Sequence, residues 1–294
     1  MNSLIQELVA NAPVVIDGGW GTLLQARGLG TGECPDAWNV DRPETVRTVA
    51  SLYAEAGSAV ILTNTFRANR IALKGHGLDG KIREINRAGV ELSRGAAGKK
   101  VKVFASIGPT GKMLMAGDVT EEHLAEVFHE QAELLAEAGA DALVLETMSD
   151  LTEARIALTA ARATGLPVVV SMVFDSGKER DRTMMGATPE QVAEELTAAG
   201  ADVIGANCGV GIDSYVPVCV RLKAATDRPV WIKPNAGLPE MIGGNAVYTT
   251  TPEEFAQHGP ALSKAGASFI GGCCGTTPDF VRALLKALGK TPTA

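Results

Sequence analysis

Short runs of β-branched and aliphatic residues alternate with longer Ala-, Leu- and Glu-rich segments along the whole chain. The apolar runs fall at 14–17, 59–63, 101–106, 142–145, 167–173, 202–206, 230–233 and 268–271. Helical spacing is clearest over 121–138, 151–164, 189–199, 215–226 and 252–265. Strands that read as continuous apolar runs, separated by helices, predict a parallel sheet buried on both faces. Four segments echo one another: AEAGSAVILTNT from Ala54, AEAGADALVLET from Ala136, TAAGADVIGANC from Thr197 and SKAGASFIGGCC from Ser263. Each places a glycine (Gly57, Gly139, Gly200, Gly266) where a helix end favours positive φ, and each then enters an even-numbered strand. Three odd strands follow a proline instead: Pro13, Pro167 and Pro229. Eight βα units in 294 residues leave about 37 each, which predicts a closed (β/α)8 TIM barrel forming one domain over 1–294. An open, doubly wound sheet is the alternative, but Asp17-Gly18-Gly19-Trp20-Gly21 after the first strand lacks the GxGxxG order of that fold.

Charge and composition narrow the function. Lys and Arg number 27 against 34 Asp and Glu, a net charge of −7, and Lys99-Lys100 is the only basic cluster. That balance argues against a nucleic-acid partner. The longest near-apolar run, 166–174, is too short for a bilayer, which needs roughly 20 residues. The N-terminal segment carries Glu7 and no basic stretch, so no signal peptide is expected and a cytoplasmic location is. Five cysteines are too few for a disulfide scaffold and odd in number.

In a (β/α)8 barrel the chemistry sits where the strands end. Those ends read Asp17-Gly18-Gly19, Asn64-Thr65-Phe66, Glu146-Thr147, Asn207-Cys208, Lys233-Pro234-Asn235 and Gly271-Gly272-Cys273-Cys274-Gly275. Cys208, Cys273 and Cys274 thus meet over one mouth. Three thiolates without a fourth protein ligand describe an open, catalytic metal site, and soft sulfur selects Zn2+ over Mg2+ or Ca2+. Two other readings stand beside this one: cysteines buried as small hydrophobes, and a vicinal Cys273–Cys274 disulfide. Cys34 and Cys219 have no such context, and Cys219 falls in a helix. His76, His123, His129 and His258 lie on or near helices, so no histidine is offered as base or ligand. A metal ligand must be deprotonated, so such a site would hold a substrate thiol as its thiolate and suit alkylation of sulfur. Asp17 and Glu146 can hold an ammonium group, and the N–H groups of Gly18 and Gly19 can meet a carboxylate. Equally, Asp17 can close a turn, Glu146 can form an ion pair in the mouth, and Lys233 can pair with a mouth carboxylate.

The blocks DGGWGT at 17–22, LTNTF at 62–66, LET at 145–147, ANCGVG at 206–211, KPNAGLP at 233–239 and GGCCGTTP at 271–278 resemble the homocysteine S-methyltransferase family. They run in order from residue 14 to about 288. The wording is closest to the homocysteine-binding module of cobalamin-dependent methionine synthase, and is also similar to the betaine–homocysteine methyltransferases. The resemblance implies Zn2+ held by Cys208, Cys273 and Cys274, and transfer of a methyl group to homocysteine, giving methionine. It also implies contacts from Asp17 and Glu146 to the homocysteine amino group and from backbone near Gly18 to its carboxylate. Family donors are S-methylmethionine, S-adenosylmethionine, betaine and methylcobalamin. The folate and cobalamin modules are not in this sequence, so a separate corrinoid protein is one expected partner. Betaine is disfavoured, because Arg67 and Thr147 stand where that subgroup places tyrosines, although Trp20 and Trp38 can still contribute to a cage. Two further readings are a catabolic demethylase with homocysteine or another thiol as acceptor, and a homocysteine-binding subunit of a corrinoid-dependent complex.

Overall fold

The computed structural model describes residues 2–242 and 245–293. Its main sheet has eight parallel strands: β1 Val14–Val15, β2 Val60–Leu62, β3 Lys102–Ile107, β4 Ala142–Met148, β5 Val168–Met172, β6 Val203–Gly211, β7 Val230–Asn235 and β8 Ala267–Ile270. From β2 to β8 each strand pairs with its successor, and β8 pairs with β1. The seam between β1 and β2 is narrow. It consists of one bridge, Ile16 to Val60, with Ala59 N–H donating to Val15 O at 2.9 Å and Asp17 N–H to Val60 O at 3.2 Å. The strand order therefore runs round a barrel and never reverses, which sets aside the doubly wound alternative.

Side-chain parity builds the interior. Ile16, Leu62, Phe104, Val144, Val169, Val203, Trp231 and Phe269 belong to one fully enclosed cluster, while their neighbours Val15, Ile61, Val103, Leu143, Val168, Ile204 and Ile270 face the helices. Ile5, from the helix Ser3–Val9, joins the inner cluster near the strand starts. Trp231 is the bulkiest piece, stacked on Phe104 at 6.2 Å and tilted against Phe269 at 5.3 Å. Gly205 makes room for it, since a Cβ there would lie 2.2 Å from the Trp231 carbonyl oxygen. Two or four residues further along the strands, the same inward parity reaches Ser106, Glu146, Ser171, Asn207 and Lys233, all buried. An apolar plug thus supports a polar floor at the strand ends.

The sequence echo has a structural cause. Gly57, Gly139, Gly200 and Gly266 all have φ between 92° and 101°, turning each helix back into its strand. In two of the echoes an aspartate follows and reaches the neighbouring strand, Asp141 accepting from Val103 N–H at 2.7 Å and Asp202 from Val168 N–H at 3.0 Å. Some expected boundaries moved. β1 is shorter than 14–17 because its ladder to β8 ends at Val15 and Ile16 makes only an isolated bridge to Val60. β6 runs past residue 206 because Cys208 and Gly211 still pair with Pro234 and Asn235 of β7. The stretch 234–250 holds an antiparallel hairpin of Glu240–Ile242 and Asn245–Val247. Among the described residues no helix is long and apolar enough to cross a membrane.

Candidate active site

The three cysteines converge. Their Sγ atoms all lie within 4.8 Å of one another, at the ends of β6 and β8. No disulfide is present: all five cysteines are free, so neither a vicinal bridge nor scattered core packing describes the trio. Cys219, by contrast, is enclosed in the helix Tyr215–Ala224, as expected. Three features place the ligands. Cys208 has φ +64°, a left-handed conformation that costs a non-glycine residue energy and turns its side chain out of strand register. Tyr215 Oη donates to the Cys208 carbonyl at 2.8 Å. Asn235 ties the two strand ends together, accepting from Cys274 N–H at 3.0 Å and donating to Gly209 O at 3.1 Å.

The electrostatics of the trio call for a cation. Hydrogen bonds from Cys273 and then Cys274 pull the Cys208 thiol down to about 3. The thiolate so formed pushes Cys274 up to about 12 and Cys273 well above its ordinary value. A positive ion among the three sulfurs would favour the thiolate form of each. Three soft donors at this spacing fit a thiophilic metal, with Cys208, Cys273 and Cys274 as its ligands.

Beside the trio lies a buried charge cluster. Lys233 Nζ donates to Asp17 Oδ1 at 2.6 Å, with side chains 2% and 0% exposed. Asp17 Oδ2 accepts from Leu62 N–H at 2.7 Å and from Trp20 Nε1 at 2.8 Å. Asp17 is therefore already engaged by three donors, and the pairing of Lys233 with a mouth carboxylate is what the fold contains. Burial alone would lower Lys233, but Asp17 and Glu146 outweigh it and hold the ammonium above its ordinary value. Glu146 is freer. Its Oε1 accepts from Ser106 Oγ at 2.5 Å, and its Oε2 has no hydrogen-bond partner among the described residues. Burial raises the Glu146 carboxyl, opposed by Lys233 and by the Ser106 hydrogen bond. Next to it Thr147 has φ +62°, fixed by Asn207, which accepts Thr147 N–H at 2.8 Å and donates to its Oγ1 at 2.7 Å. The ends of β4 and β6, on either side of β5, thus each carry one left-handed residue, Thr147 and Cys208.

The backbone nest is half as large as expected. Gly19 N–H is taken by Thr276, 3.0 Å from its Oγ1, whereas Gly18 N–H has no acceptor among the described residues. Trp20 stands at the site with its indole N–H on Asp17. Trp38 does not, being 4% exposed in the core with the Arg42 guanidinium 4.4 Å over its ring. The histidines keep clear of the site: His123 and His129 are on the helix Glu121–Glu137, His76 follows Arg70–Lys74 and His258 precedes Gly259–Lys264.

One titratable group nearby has no sequence signal. Asp36 is 1% exposed, accepting from Arg67 N–H at 3.0 Å with Cys34 Sγ 3.9 Å from its other oxygen. Burial pushes its carboxyl up to about 6. The folded value lies above the unfolded one, so the cost of ionising Asp36 is absent below about pH 4 and is complete above about pH 6. Asp36→Asn is expected to stabilise the fold by up to about 3 kcal/mol at pH 8 and to leave it unchanged at pH 3.5. Urea unfolding at the two pH values checks this, and equal effects at both would refute it.

Residues 14–288 match the family model described as homocysteine S-methyltransferase. The chain is 29% identical over 303 residues to methionine synthase of Mycobacterium leprae strain TN, covering 97% of this chain and 25% of the relative. It is 30% identical over 304 residues to methionine synthase of Mycobacterium tuberculosis strain H37Rv, covering 96% and 25%. The chain thus spans about a quarter of the length of these relatives. Among solved structures it is similar to the Escherichia coli homocysteine methyltransferase MmuM. The oxidized form superposes with a TM-score of 0.82 at 25% identity, covering 97% of this chain and 99% of that one. The metallated form superposes with a TM-score of 0.80 at 25% identity, covering 95% and 98%. The match runs from the start of β1 to the last helix, and on that ground the chain belongs to the homocysteine S-methyltransferase family.

Proposed function

We propose that this chain, as a single homocysteine-binding barrel domain, transfers a methyl group to the thiol of homocysteine and forms methionine, with Zn2+ held by Cys208, Cys273 and Cys274. The observation behind this reading is the convergence of three thiols, within 4.8 Å, on the mouth that also holds Glu146 and the Asp17–Lys233 pair. When bound, Zn2+ supplies the positive charge that keeps a substrate thiol deprotonated at neutral pH. The protein's own groups do the rest. Glu146 offers its unpartnered oxygen to the α-ammonium. Asp17, with one lone pair left on Oδ1, makes a secondary contact and chiefly neutralises Lys233. Two carboxylates against one lysine leave room for one more positive charge, which selects an amino acid over a simple thiol. The Gly18 N–H is placed for the α-carboxylate. The apolar plug below the polar floor keeps water from entering behind the substrate.

A second reading concerns the donor. Seven of the eight large apolar side chains exposed among the described residues sit on the loops after β3, β5 and β7: Met113, Met115, Met184, Met185, Leu238, Met241 and Val247. An apolar rim on the active-site face favours a methyl group delivered by a separate corrinoid protein over one from a free small molecule.

One experiment tests the first reading and separates it from the second, for which no free donor would serve. The reduced, Zn2+-loaded protein is given homocysteine with S-methylmethionine, S-adenosylmethionine, betaine or methylcobalamin in separate reactions, and methionine is measured by mass spectrometry. Methionine from one of these donors is the expected result, and none from any would overturn transfer by the isolated chain. With the active donor, 4-mercaptobutyrate, which is homocysteine without its amino group, should show kcat/KM lower by about ten- to a hundredfold. Equal reactivity would remove Glu146 and Asp17 from substrate recognition.

A further inference from the structure

The turn after β8 and the turn after β1 are packed backbone against backbone, with Thr276 between them. Thr276 Oγ1 accepts from Gly19 N–H at 3.0 Å and donates to the Cys273 carbonyl at 2.8 Å. The Tyr53 hydroxyl lies 3.0 Å from Gly19 O and 3.1 Å from Thr276 O, bridging the same two turns from the helix Pro43–Glu55. Gly272 N–H donates to Asp17 O at 3.0 Å. The approach is so close that it excludes side chains. A Cβ on Gly18 would lie 2.7 Å from Thr276 Oγ1, one on Gly272 would lie 2.4 Å from that oxygen, and one on Gly19 would lie 2.4 Å from Cys273 O. Thr276 is fully buried. Its hydroxyl bonds directly to the Cys273 carbonyl on one side and to the Gly19 N–H on the other.

We propose that Thr276 is a positioning residue that couples the metal end of the site to its amino-acid end. This rests on the reading above that Cys273 and Cys274 hold the metal and Gly18 receives the α-carboxylate. The hydroxyl fixes the ligand turn and the Gly18–Gly19 turn in one register. Ordering either turn with its own ligand therefore pre-orders the other. Coupling of this kind is reciprocal: a bound amino acid tightens the metal by the same factor as the metal tightens the amino acid. Ligation of the substrate sulfur is not needed for it.

The test uses a substrate analogue that cannot touch the metal through sulfur. The Kd for Zn2+ is measured by chelator competition, with and without L-2-aminobutyrate, which keeps the amino and carboxylate groups of homocysteine and lacks its thiol. In the wild-type protein L-2-aminobutyrate should tighten Zn2+ roughly tenfold, within the usual range for coupled sites. In Thr276→Val, which keeps the shape and loses the hydroxyl, the effect should fall below about twofold, and Thr276→Ser should restore it. An unchanged Zn2+ Kd on adding L-2-aminobutyrate to the wild type overturns the proposal, as does full coupling in Thr276→Val. The measurement needs no turnover. A chain that makes methionine without coupling fails this inference alone, whereas one that couples without making methionine fails only the transfer reading.

Discussion

Cys273→Ser is expected to release the metal and to lower methyl transfer by about a thousandfold or more. The structural reason is the charge state of the trio. Contacts among the three sulfurs lower the Cys208 thiol and raise those of Cys273 and Cys274. A bound cation would favour the thiolate form of all three, so the metal and the thiolates depend on one another. A serine hydroxyl in place of one thiol is a hard, weakly acidic donor and breaks that mutual dependence. Without the metal, a free thiol of pKa about 8.5 is only a few per cent ionised at pH 7, and the stabilisation lost at the reacting sulfur is on the order of 4 kcal/mol. Cys208→Ser and Cys274→Ser should behave alike, while Cys219→Ser, remote in its helix, should keep its metal. Metal content by mass spectrometry and methionine formation are the two measurements. A ligand variant that loses zinc yet keeps its rate would remove the metal from the mechanism.

Lys233→Met should be the most damaging single change to stability. It removes the positive charge beside two buried carboxylates and leaves the fully buried Asp17 without its ion-pair partner. Breaking a buried pair from one side costs about 3–5 kcal/mol, which for a chain of this size lowers Tm by on the order of 10 °C. The Asp17→Asn, Lys233→Met double variant removes the stranded charge and should recover at least about 2 kcal/mol relative to the sum of the single changes. It should not recover homocysteine binding, because Glu146 then faces the ammonium without the neighbours that set its charge. Urea unfolding of the four proteins gives the coupling energy directly. Strict additivity would mean that the 2.6 Å contact contributes nothing specific.

The barrel and the trio were legible for the same reason. Inward and outward parity repeats every two residues, so apolar runs ending in a charged or sulfur-bearing residue mark both the strands and the mouth. Ser106, Ser171 and Asn207 follow from that parity too, once the inner face of each strand is known. Other parts of the site have no local signal. Asp17 and Lys233 are 216 residues apart, and only the closed sheet brings them together. Thr147 and Cys208 adopt left-handed conformations that neither residue type favours, held there by Asn207 of β6 and by Tyr215 of the following helix respectively. Tyr53 reads as an ordinary core residue of an amphipathic helix, and its hydroxyl gains meaning only from the turns it meets. The hairpin after β7 did leave a trace: Gly243-Gly244, which lies outside the described residues, stands between two short apolar runs.

The narrow seam of the barrel makes it a natural reporter. Where β1 and β2 meet, the Leu62 amide proton rests on the side chain of Asp17 rather than on a strand carbonyl. Opening the cylinder at this join breaks fewer backbone bonds than opening it anywhere in the opposite wall, so local unfolding begins there. Deuterium should enter Leu62 before it enters the long ladder between β6 and β7. The carboxylate that pairs with Lys233 also fastens the wall, so exchange at Leu62 should quicken when that ion pair is removed.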